Sequence, residues 1–359
     1  MASCLMDNSS VFSPSVSHFL SECGLSNFEV SLLNKGGNNK AYKVVSSEGT
    51  YVLKAYFTSE QDQRSRLRNE YTFSQFCWEN QICSVPQPFF ADYDKHLGLY
   101  EYIHGEKLKT DEIKESHIQE CINFTKAINH HKTSNQGSSL PVGSEASFCL
   151  KEHLETVEKR IKRLESIDEN LSIDKEAKKF VVKSLFPTWQ EIKQNFTRNC
   201  QKLNFDLDVP ISQNDRILSP SDFGFHNALG VTIDSSLART SSKIKFIDFE
   251  YAGWDDPAKL VCDFFNQVAI PVPNEFYTYF NQEIADLTDN PAYHQKRTDL
   301  LMSIYSIKWI SIILNDFLPQ NRFRLDFLEH NDINDHKTKQ LHKAERGLQK
   351  LILELSPTT

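Results

Sequence analysis

The stretch SDFGFHNAL at residues 221–229, followed by FIDFEY at residues 246–251, decides what kind of protein this chain forms. In the first segment an acidic residue, Asp222, precedes Asn227 by five positions, and an apolar run begins directly afterwards. This is the spacing of a catalytic loop for phosphoryl transfer. In such a loop the carboxylate accepts the proton of a substrate hydroxyl, and the amide oxygen binds Mg²⁺. Taken alone, the segment is also explained as a loop of ordinary turn formers.

A carboxylate in the second segment supplies a further candidate ligand. Asp248 follows the apolar residues Phe246 and Ile247, twenty-one positions after Asn227. Mg²⁺ prefers hard oxygen ligands and is typically bound by one or two carboxylates together with phosphates. We therefore predict Asn227 and Asp248 as the metal ligands, with Glu250 either joining them or supporting them. The alternative is that Asp248 is an ordinary acid in a turn after a strand.

A glycine-containing segment upstream has the composition of a phosphate-binding loop. The sequence KGGNN at residues 35–39 lies between two strand-like runs. Its adjacent Gly36 and Gly37 would let backbone N–H groups approach an anion closely, and Asn38 tolerates left-handed backbone conformations. We predict that these three residues lie over the phosphates of a nucleotide. The same composition is common in a simple hairpin turn.

A lysine and a glutamate form the second part of the predicted nucleotide site. Lys54 lies inside the apolar run YVLKAYF at residues 51–57, and Glu70 follows sixteen residues later in a helical pattern. Kinases orient the α- and β-phosphates with a strand lysine that is held by a helix glutamate. Glu79 is a weaker alternative partner further along the helix. The competing interpretation is a lysine at a sheet edge and a glutamate on the surface.

The chain changes character along its length. Runs rich in Val, Leu, Tyr and Phe predict three strands over residues 28–57, a helix over 59–80 and two strands over 89–103. Helical patterns follow over 111–131, 145–168, 173–199 and 257–354, interrupted by a polar loop at 132–144 and strand-like runs at 228–233 and 243–249. We predict an α+β fold with a small β-rich lobe, residues 1–104, and a larger, mainly helical lobe, residues 105–359.

Composition limits the partners and the compartment. The net charge of −8 argues against a nucleic-acid or anionic-membrane binder, which would usually present a basic face. The eight cysteines are scattered without C-x-x-C pairs, as in proteins of the reducing cytosol. No secretion signal is expected from the sequence MASCLMDNSS, and the apolar stretch 304–314 contains Lys308 and predicts a buried helix. We predict a cytoplasmic protein without a membrane partner.

These motifs together resemble the aminoglycoside phosphotransferase/choline kinase-like family, which has the protein-kinase-like fold. The resemblance is carried by KGGNNKAYKV, YVLKAY, LYEYIHGEKL, SDFGFHNAL and FIDFEYAGWDDPA, spread over residues 33 to about 265. It implies ATP and Mg²⁺ as cofactors, Asp222 as the catalytic base, Lys54 and Glu70 as the phosphate-orienting pair, and Asn227 and Asp248 as metal ligands. It also implies a linker that contacts adenine through its backbone, with Glu101 and Ile103 in it. The sequence departs from the family at Pro220 and Ser221, where His-Gly is usual.

The acceptor of the phosphoryl group is less clearly marked. Tyr305 and Trp309 are four residues apart on a predicted helix and could form an aromatic site for a quaternary ammonium, or simply belong to the core. Asp255, Asp256 and Asp263 could attract a cationic acceptor, whereas Asp256 before Pro257 is also a typical helix N-cap. We favour the structural interpretation for both groups. A sugar therefore remains as suitable an acceptor as an amino alcohol or an aminoglycoside.

The ordered set of motifs predicts a small-molecule kinase that transfers the γ-phosphoryl group of ATP to a hydroxyl group. The alternative is a non-catalytic nucleotide-binding module on the same scaffold, which the Pro220-Ser221 replacement favours. A protein kinase is disfavoured, because only about seven residues separate Asp248 from the helix start at Asp255 and leave little room for a peptide-docking loop.

Overall fold

A computed structural model of the chain describes residues 14–35, 39–58, 64–231, 244–319 and 333–355. The N-terminal part is a five-stranded antiparallel sheet with strand order β1-β2-β3-β5-β4. Helix α2 lies in sequence between β3 and β4, so the predicted order of three strands, a helix and two strands is confirmed. These elements, with a preceding helix that was not predicted, are α1 (Pro14–Glu22), β1 (Glu29–Lys35), β2 (Asn39–Ser46), β3 (Gly49–Tyr56), α2 (Arg66–Glu79), β4 (Pro88–Asp92) and β5 (Leu97–Glu101).

The C-terminal part is mainly helical, as the sequence predicts. Between α6 and α7 the chain makes one π-helical turn at Val181–Leu185. The helices are α3 (Glu115–His130), α4 (Asn135–Ser139), α5 (Leu150–Arg163), α6 (Ser172–Phe180), α7 (Phe186–Lys202), α8 (Pro257–Asn266), α9 (Tyr277–Ala285), α10 (Pro291–Ile313) and α11 (Ile333–Leu355).

Two small sheets frame the segments with the predicted catalytic residues. One joins β6 (Glu106–Lys107), β8 (Ala228–Gly230) and β9 (Ile244–Phe246), and the other pairs β7 (Ile217–Ser219) with β10 (Gly253–Asp255). Strands β8 and β9 are shorter than the predicted runs 228–233 and 243–249. The pairing continues by one hydrogen bond beyond Phe246, from the backbone N–H of Ile247 to the carbonyl of Asn227 at 2.9 Å. Residues 232–243 lie outside the described part of the chain.

Three apolar cores hold these sheets and helices together. The N-terminal sheet packs on α1 through residues such as Phe19, Leu53 and Leu99. A second core joins α2 and α3 to the segments around β7, β8 and β9, and a third packs the C-terminal helices on one another. β5 belongs to the first sheet and β6 to the small β6-β8-β9 sheet, so the chain passes between the two parts over residues 102–105. The predicted division between residues 104 and 105 falls in this segment.

The predicted polar loop 132–144 is more structured than its sequence suggests. Ser134 caps the short helix α4 by accepting a hydrogen bond from the Gly137 backbone N–H at 3.0 Å. Residues 141–143 then pack against β10, where Gly253 has a φ of +156°. A Cβ at Gly253 would lie 2.3 Å from the Pro141 carbonyl oxygen, so this approach requires glycine.

Helix α10 and the turn after it, residues 291–317, form one helical segment that is long and apolar enough to cross a membrane by length and composition. Its most apolar window is 61% buried within the protein. Leu301, Ile304 and Ile307 are fully buried in the C-terminal core, and Lys308 is also buried. The apolar character of this helix is therefore accounted for by packing, as the sequence predicts.

The N-cap predicted at Asp256 is confirmed. Its Oδ1 accepts from the backbone N–H of Ala258 at 2.8 Å, and α8 begins at Pro257. The other oxygen, Oδ2, accepts from Arg297 and from His153 Nε2. Burial opposes ionisation of Asp256, but the Arg297 guanidinium outweighs it and keeps the pKa of this carboxyl well below its usual value.

We expect Asp256→Asn to lower the free energy of unfolding by about 3–5 kcal/mol, because it leaves the buried Arg297 without its counter-charge. Asparagine still caps the helix, so the loss reports the ion pair rather than the cap. Urea unfolding followed by circular dichroism measures it. Glu354→Gln, which breaks an exposed pair with Lys350 on α11, is the matched control with little expected change. Equal losses in the two variants would contradict a buried ion pair at Asp256.

Candidate active site

A buried ion triple joins three distant parts of the chain. Lys54 Nζ on β3 donates to Glu70 Oε1 on α2 at 2.7 Å and to Asp248 Oδ1 at 2.9 Å. The Lys54 side chain is 12% exposed and that of Glu70 is 4% exposed, whereas Asp248 is 33% exposed. Burial opposes charge on Lys54, but the two carboxylates hold its pKa above the usual value. One ammonium thus pairs with two carboxylates, which leaves a net negative charge on the three groups. Asp248 is the more exposed of the two carboxylates.

A tyrosine that sequence reasoning missed, Tyr56, hydrogen-bonds to Glu70, and a second tyrosine contacts the first. Tyr56 lies two residues after Lys54 on β3, and its hydroxyl donates to Glu70 Oε2 at 2.6 Å. The hydroxyls of Tyr56 and Tyr100 are 3.0 Å apart, and both side chains are buried. The signal available in the sequence is the i, i+2 spacing of Lys54 and Tyr56, which places them on one face of the strand. Glu79, the weaker predicted partner, instead accepts from Gln75 at an exposed position.

The predicted catalytic loop brings Asp222 and Asn227 together. Asn227 Nδ2 donates to the Asp222 backbone carbonyl at 3.0 Å, which turns the loop back on itself. Strands β8 and β9 pair directly after this turn, with Ala228 opposite Phe246. Because β9 leads into Asp248, this pairing sets Asn227 beside the segment that carries Asp248.

The oxygen atoms of Asn227 and Asp248 fit a hard divalent cation. Since the amide nitrogen of Asn227 faces the Asp222 carbonyl, its Oδ1 is the atom left for a ligand. Asp248 uses Oδ1 for Lys54 and retains a second oxygen. Within the described ranges, no group of three or more His, Cys, Asp or Glu residues has the arrangement of a metal site. The donor set of one amide and one carboxylate oxygen matches Mg²⁺, which is commonly bound by few protein ligands together with phosphates.

Glu250 has structural partners in this arrangement. Its Oε2 accepts from Asn39 Nδ2 at 3.3 Å, and its Oε1 lies 4.0 Å from Arg66 Nε. Glu250 therefore ties the segment after Asp248 to the start of β2 and the start of α2. The role of Glu250 at the metal site, as a ligand or as a support, stays a prediction.

The side chain of Asp222 has one neighbour that was not predicted. His226 Nε2 lies 3.1 Å from Asp222 Oδ1, and because an ionised carboxylate only accepts, Nε2 is the donor. Gly224 makes room for this contact, since a Cβ there would lie 2.8 Å from the His226 ring. The Asp222 side chain is 34% exposed and can be reached by a ligand.

The residue before Asp222 has a backbone conformation that is rare for serine. Ser221 has a φ of +66°, and the Asp222 backbone N–H donates to the Pro220 carbonyl across it, forming a three-residue γ-turn. Its hydroxyl accepts from Lys259 Nζ on α8 at 3.0 Å, and Asp255 accepts from the same ammonium at 2.7 Å. Glycine, which is usual at this position in the family that the sequence resembles, adopts a positive φ without strain. In this chain the residue is a serine, and its hydroxyl forms a hydrogen bond with Lys259.

The two residues predicted to contact adenine, Glu101 and Ile103, lie at the end of β5 and in the segment that follows it. Glu101 ends β5, and its backbone N–H donates to the Gln87 carbonyl at 2.8 Å. Ile103 is 9% exposed and lies in the segment that passes between the two parts of the protein. Gly36, Gly37 and Asn38 lie outside the described residues. Tyr305 and Trp309 lie on α10, where Tyr305 is buried and its hydroxyl contacts His153 Nδ1 at 2.7 Å.

Known proteins resemble this chain both in sequence and in fold. The model of the choline/ethanolamine kinase family matches residues 30–341, and no curated protein matches the sequence. A choline kinase from Cryptosporidium parvum is 12% identical, with a TM-score of 0.52, over 94% of this chain and 97% of its own. An ethanolamine kinase from Plasmodium vivax is 19% identical, with a TM-score of 0.52, over 90% of this chain and 84% of its own.

A third structure extends the likeness beyond choline and ethanolamine kinases. A spectinomycin phosphotransferase solved with ADP and spectinomycin is 14% identical, with a TM-score of 0.56, over 94% of this chain and 99% of its own. At these identities the structures establish the fold, and they confirm the predicted protein-kinase-like architecture. The family match covers most of the sequence and confirms an ATP-dependent phosphotransferase with an alcohol group as acceptor. The chain belongs to the choline/ethanolamine kinase family.

Proposed function

We propose that this kinase transfers the γ-phosphoryl group of ATP to a hydroxyl group of a small metabolite, with Asp222 as the base. The observation that carries the proposal is the meeting of five predicted residues from distant segments: Lys54 contacts Glu70 and Asp248, and Asn227 contacts Asp222 beside them. The acceptor belongs to the hydroxylated metabolites, a class that includes sugars, amino alcohols and aminoglycoside-like compounds.

Asp222 would receive the proton of the acceptor hydroxyl. The hydroxyl oxygen then forms a bond to the γ-phosphorus while the bond to the β,γ-bridging oxygen breaks, and ADP leaves. His226 Nε2 contacts Asp222 Oδ1 at 3.1 Å and Asn227 Nδ2 donates to Asp222 Oδ2 at 3.4 Å, and together these contacts orient the carboxylate. The Lys54 ammonium, oriented by Glu70, offsets phosphate charge. Asn227 and Asp248 would hold Mg²⁺, which supplies further compensation of the phosphate charge when it is bound.

The nucleotide would lie between the two parts of the protein. Gly36, Gly37 and Asn38 are proposed to cover its phosphates, and Glu101 and Ile103 to contact adenine through the backbone of the connecting segment. The cysteines support a cytoplasmic location. All seven that the structure describes are free thiols, as is usual in the reducing cytoplasm. We place the activity there, on a small-molecule substrate and without nucleic acid or membrane as a partner.

Release of ADP in the presence of a panel of sugars, amino alcohols and aminoglycosides tests the proposal. We expect at least one acceptor to stimulate ADP release, and Asp222→Asn and Asp248→Asn to lower that activity by about 10²–10⁴-fold. Both variants keep the size of the side chain and change only its charge and proton affinity. Unchanged activity in both would rule out the assigned roles.

The alternative, a non-catalytic nucleotide-binding module, is favoured by Pro220 and Ser221 in place of the usual His-Gly. It predicts that ATP with Mg²⁺ raises the melting temperature while no acceptor stimulates ADP release. The kinase proposal predicts both stabilisation and turnover. Thermal melting with ATP and the acceptor panel, measured on the same preparation, separates the two functions.

A pair of substitutions at Ser221 separates backbone strain from the hydrogen bond to Lys259. Ser221→Ala and Ser221→Gly both remove the hydroxyl, but only glycine relieves the positive φ. We expect the glycine variant to be more stable than the alanine variant by about 1–2 kcal/mol in urea unfolding. Both should lower kcat by about tenfold at an unchanged KM for ATP, because a small displacement of Asp222 slows proton transfer. Equal stability of the two variants would show that residue 221 carries no strain.

A further inference from the structure

The loop that carries the proposed base holds an imidazole against one of its oxygen atoms. His226 Nε2 lies 3.1 Å from Asp222 Oδ1, and the two side chains are 19% and 34% exposed. Pro220 stands in this chain where the family usually has a histidine, two positions before the base. Here the imidazole reaches the base from the other end of the loop, four residues after it.

The residues between Asp222 and His226 explain why the two side chains meet. Phe223 and Phe225 are 3% and 0% exposed and belong to the core that includes α3. A single 3₁₀ turn over residues 225–227 follows the extended part of the loop. The two buried rings anchor the loop, so that Asp222 and His226 both remain on its accessible side.

Gly224 leaves the space that the imidazole occupies. A Cβ at this position would lie 2.8 Å from His226 Nδ1, a distance at which one of the two must move, and 3.2 Å from Gln267 Cγ. The φ of Gly224 is 167°, an extended conformation that any residue adopts. The backbone therefore does not require glycine here, whereas the position of the imidazole does.

The two oxygen atoms of the Asp222 carboxylate are not equally engaged. Oδ1 accepts from His226 Nε2 at 3.1 Å. Oδ2 lies 3.4 Å from Asn227 Nδ2, and that amide donates more closely, at 3.0 Å, to the Asp222 backbone carbonyl. A hydrogen bond to an ionised carboxylate is stronger than one between neutral groups, so the imidazole fixes the side of the carboxylate that it contacts. Oδ2 is the oxygen that is more available to a further donor.

The other ring nitrogen of His226 indicates how the hydrogen is placed. Nδ1 is buried, and none of the residues that the structure describes forms a hydrogen bond with it. A hydrogen on Nδ1 would be a buried donor without an acceptor, which is unfavourable. The neutral ring with its hydrogen on Nε2 avoids this and supplies the donor that Asp222 needs. His226 thus acts as an uncharged N–H donor, a role that a side-chain amide of similar length can also fill.

We propose that His226 is a positioning residue for the base: its Nε2–H holds Asp222 Oδ1 and leaves Oδ2 to receive the proton of the acceptor hydroxyl. The hydroxyl oxygen bonds to the γ-phosphorus as its proton passes to Oδ2, and the bond to the β,γ-bridging oxygen breaks with both electrons staying on ADP. His226 keeps its own hydrogen throughout this step. This inference rests on the proposed function, because it assigns the atom and the support of the same base.

The first test compares two replacements of His226, with an acceptor that the unaltered protein phosphorylates, choline and ethanolamine being tried first. His226→Leu removes the donor, whereas His226→Gln keeps an N–H at similar reach. We expect His226→Leu to lower kcat by about 10–100-fold at an unchanged KM for ATP, and His226→Gln to recover most of that loss. His130→Leu, which removes an exposed imidazole from α3, is the control without expected effect. Equal kcat values for the leucine and glutamine variants would overturn the inference.

The second test displaces the imidazole without removing it. Gly224→Ala places a methyl group against the ring, and we expect a loss in kcat comparable to that of His226→Ala. In the double variant the ring is absent, so the added methyl group should cause no further loss. Unchanged activity of Gly224→Ala would overturn the inference. Additive losses would also overturn it, because they would show that the methyl group acts through Gln267 and not through the ring.

The third test needs no turnover. Nitrogen-15 NMR of protein labelled in its histidines, recorded at about pH 8, shows which ring nitrogen carries the hydrogen. We expect the His226 signal, assigned by its absence from His226→Gln, to show the hydrogen on Nε2. In Asp222→Ala, which lacks the acceptor, both tautomers should be populated. A hydrogen on Nδ1 in the unaltered protein would overturn the inference.

These measurements separate failure of this inference from failure of the proposed function. If the unaltered protein phosphorylates no acceptor, the kinase proposal fails, and the role of His226 within it fails too. If the unaltered protein turns over and His226→Leu is equally active, only the inference fails. Equal falls in melting temperature for His226→Leu and His226→Gln, with equal falls in kcat, would show a purely structural role and would also reject it.

Discussion

One ammonium group, that of Lys54, holds together three segments that are far apart in the sequence. It bridges Glu70 on α2 and Asp248 after β9, so the sheet, its helix and the C-terminal part share a single charge. A buried charge is tolerated only when it is paired and hydrogen-bonded. Displacement of any of these three elements would leave a partner unpaired. The position of α2 is therefore set by an electrostatic constraint as well as by packing.

Aromatic rings that pack next to Glu70, Asp248 and Asp222 fix the positions of these carboxylates. Phe73, one helical turn after Glu70, lies 5.0 Å from Phe249, the residue after Asp248, measured between ring centres. On the other side, Phe223 after Asp222 lies 5.2 Å from Phe246, which stacks on Phe124 of α3 at 4.7 Å. Charged and apolar residues alternate along these segments, so one set of side chains can face the site while the other fills the core. Rings of this size bury much apolar surface and fix the backbone that carries the carboxylates.

Spacing in the sequence was enough to predict which of the candidate site residues lie together. Asp222 and Asn227 are five positions apart, and the strand-like run around Lys54 and the helical run around Glu70 follow standard periodicities. Tyr56 contacts Glu70 and Tyr100, and Lys259 contacts Ser221. These three contacts join residues 14 to 44 positions apart. No local pattern encodes such pairs, because they arise only when the strands and helices have packed. For the same reason the sequence left open whether Asp263 attracts a cationic acceptor or has a structural role, and in the structure it pairs with Lys308.

The buried ion pairs next to Asp222, Lys259 with Asp255 and Lys308 with Asp263, require an explanation other than stability. Replacing a buried ion pair by apolar residues of similar size is often neutral or even stabilising, so Lys259, Asp255, Lys308 and Asp263 are not needed merely to hold α8 against α10. What apolar residues could not provide is the donor to Ser221, because that contact needs an N–H group at the end of a long side chain. Once Lys259 is buried there, Asp255 balances its charge, and Asp263 with Lys308 adds a second neutral pair. The network thus supports the turn at Ser221, which has a positive φ, without adding net charge beside Asp222.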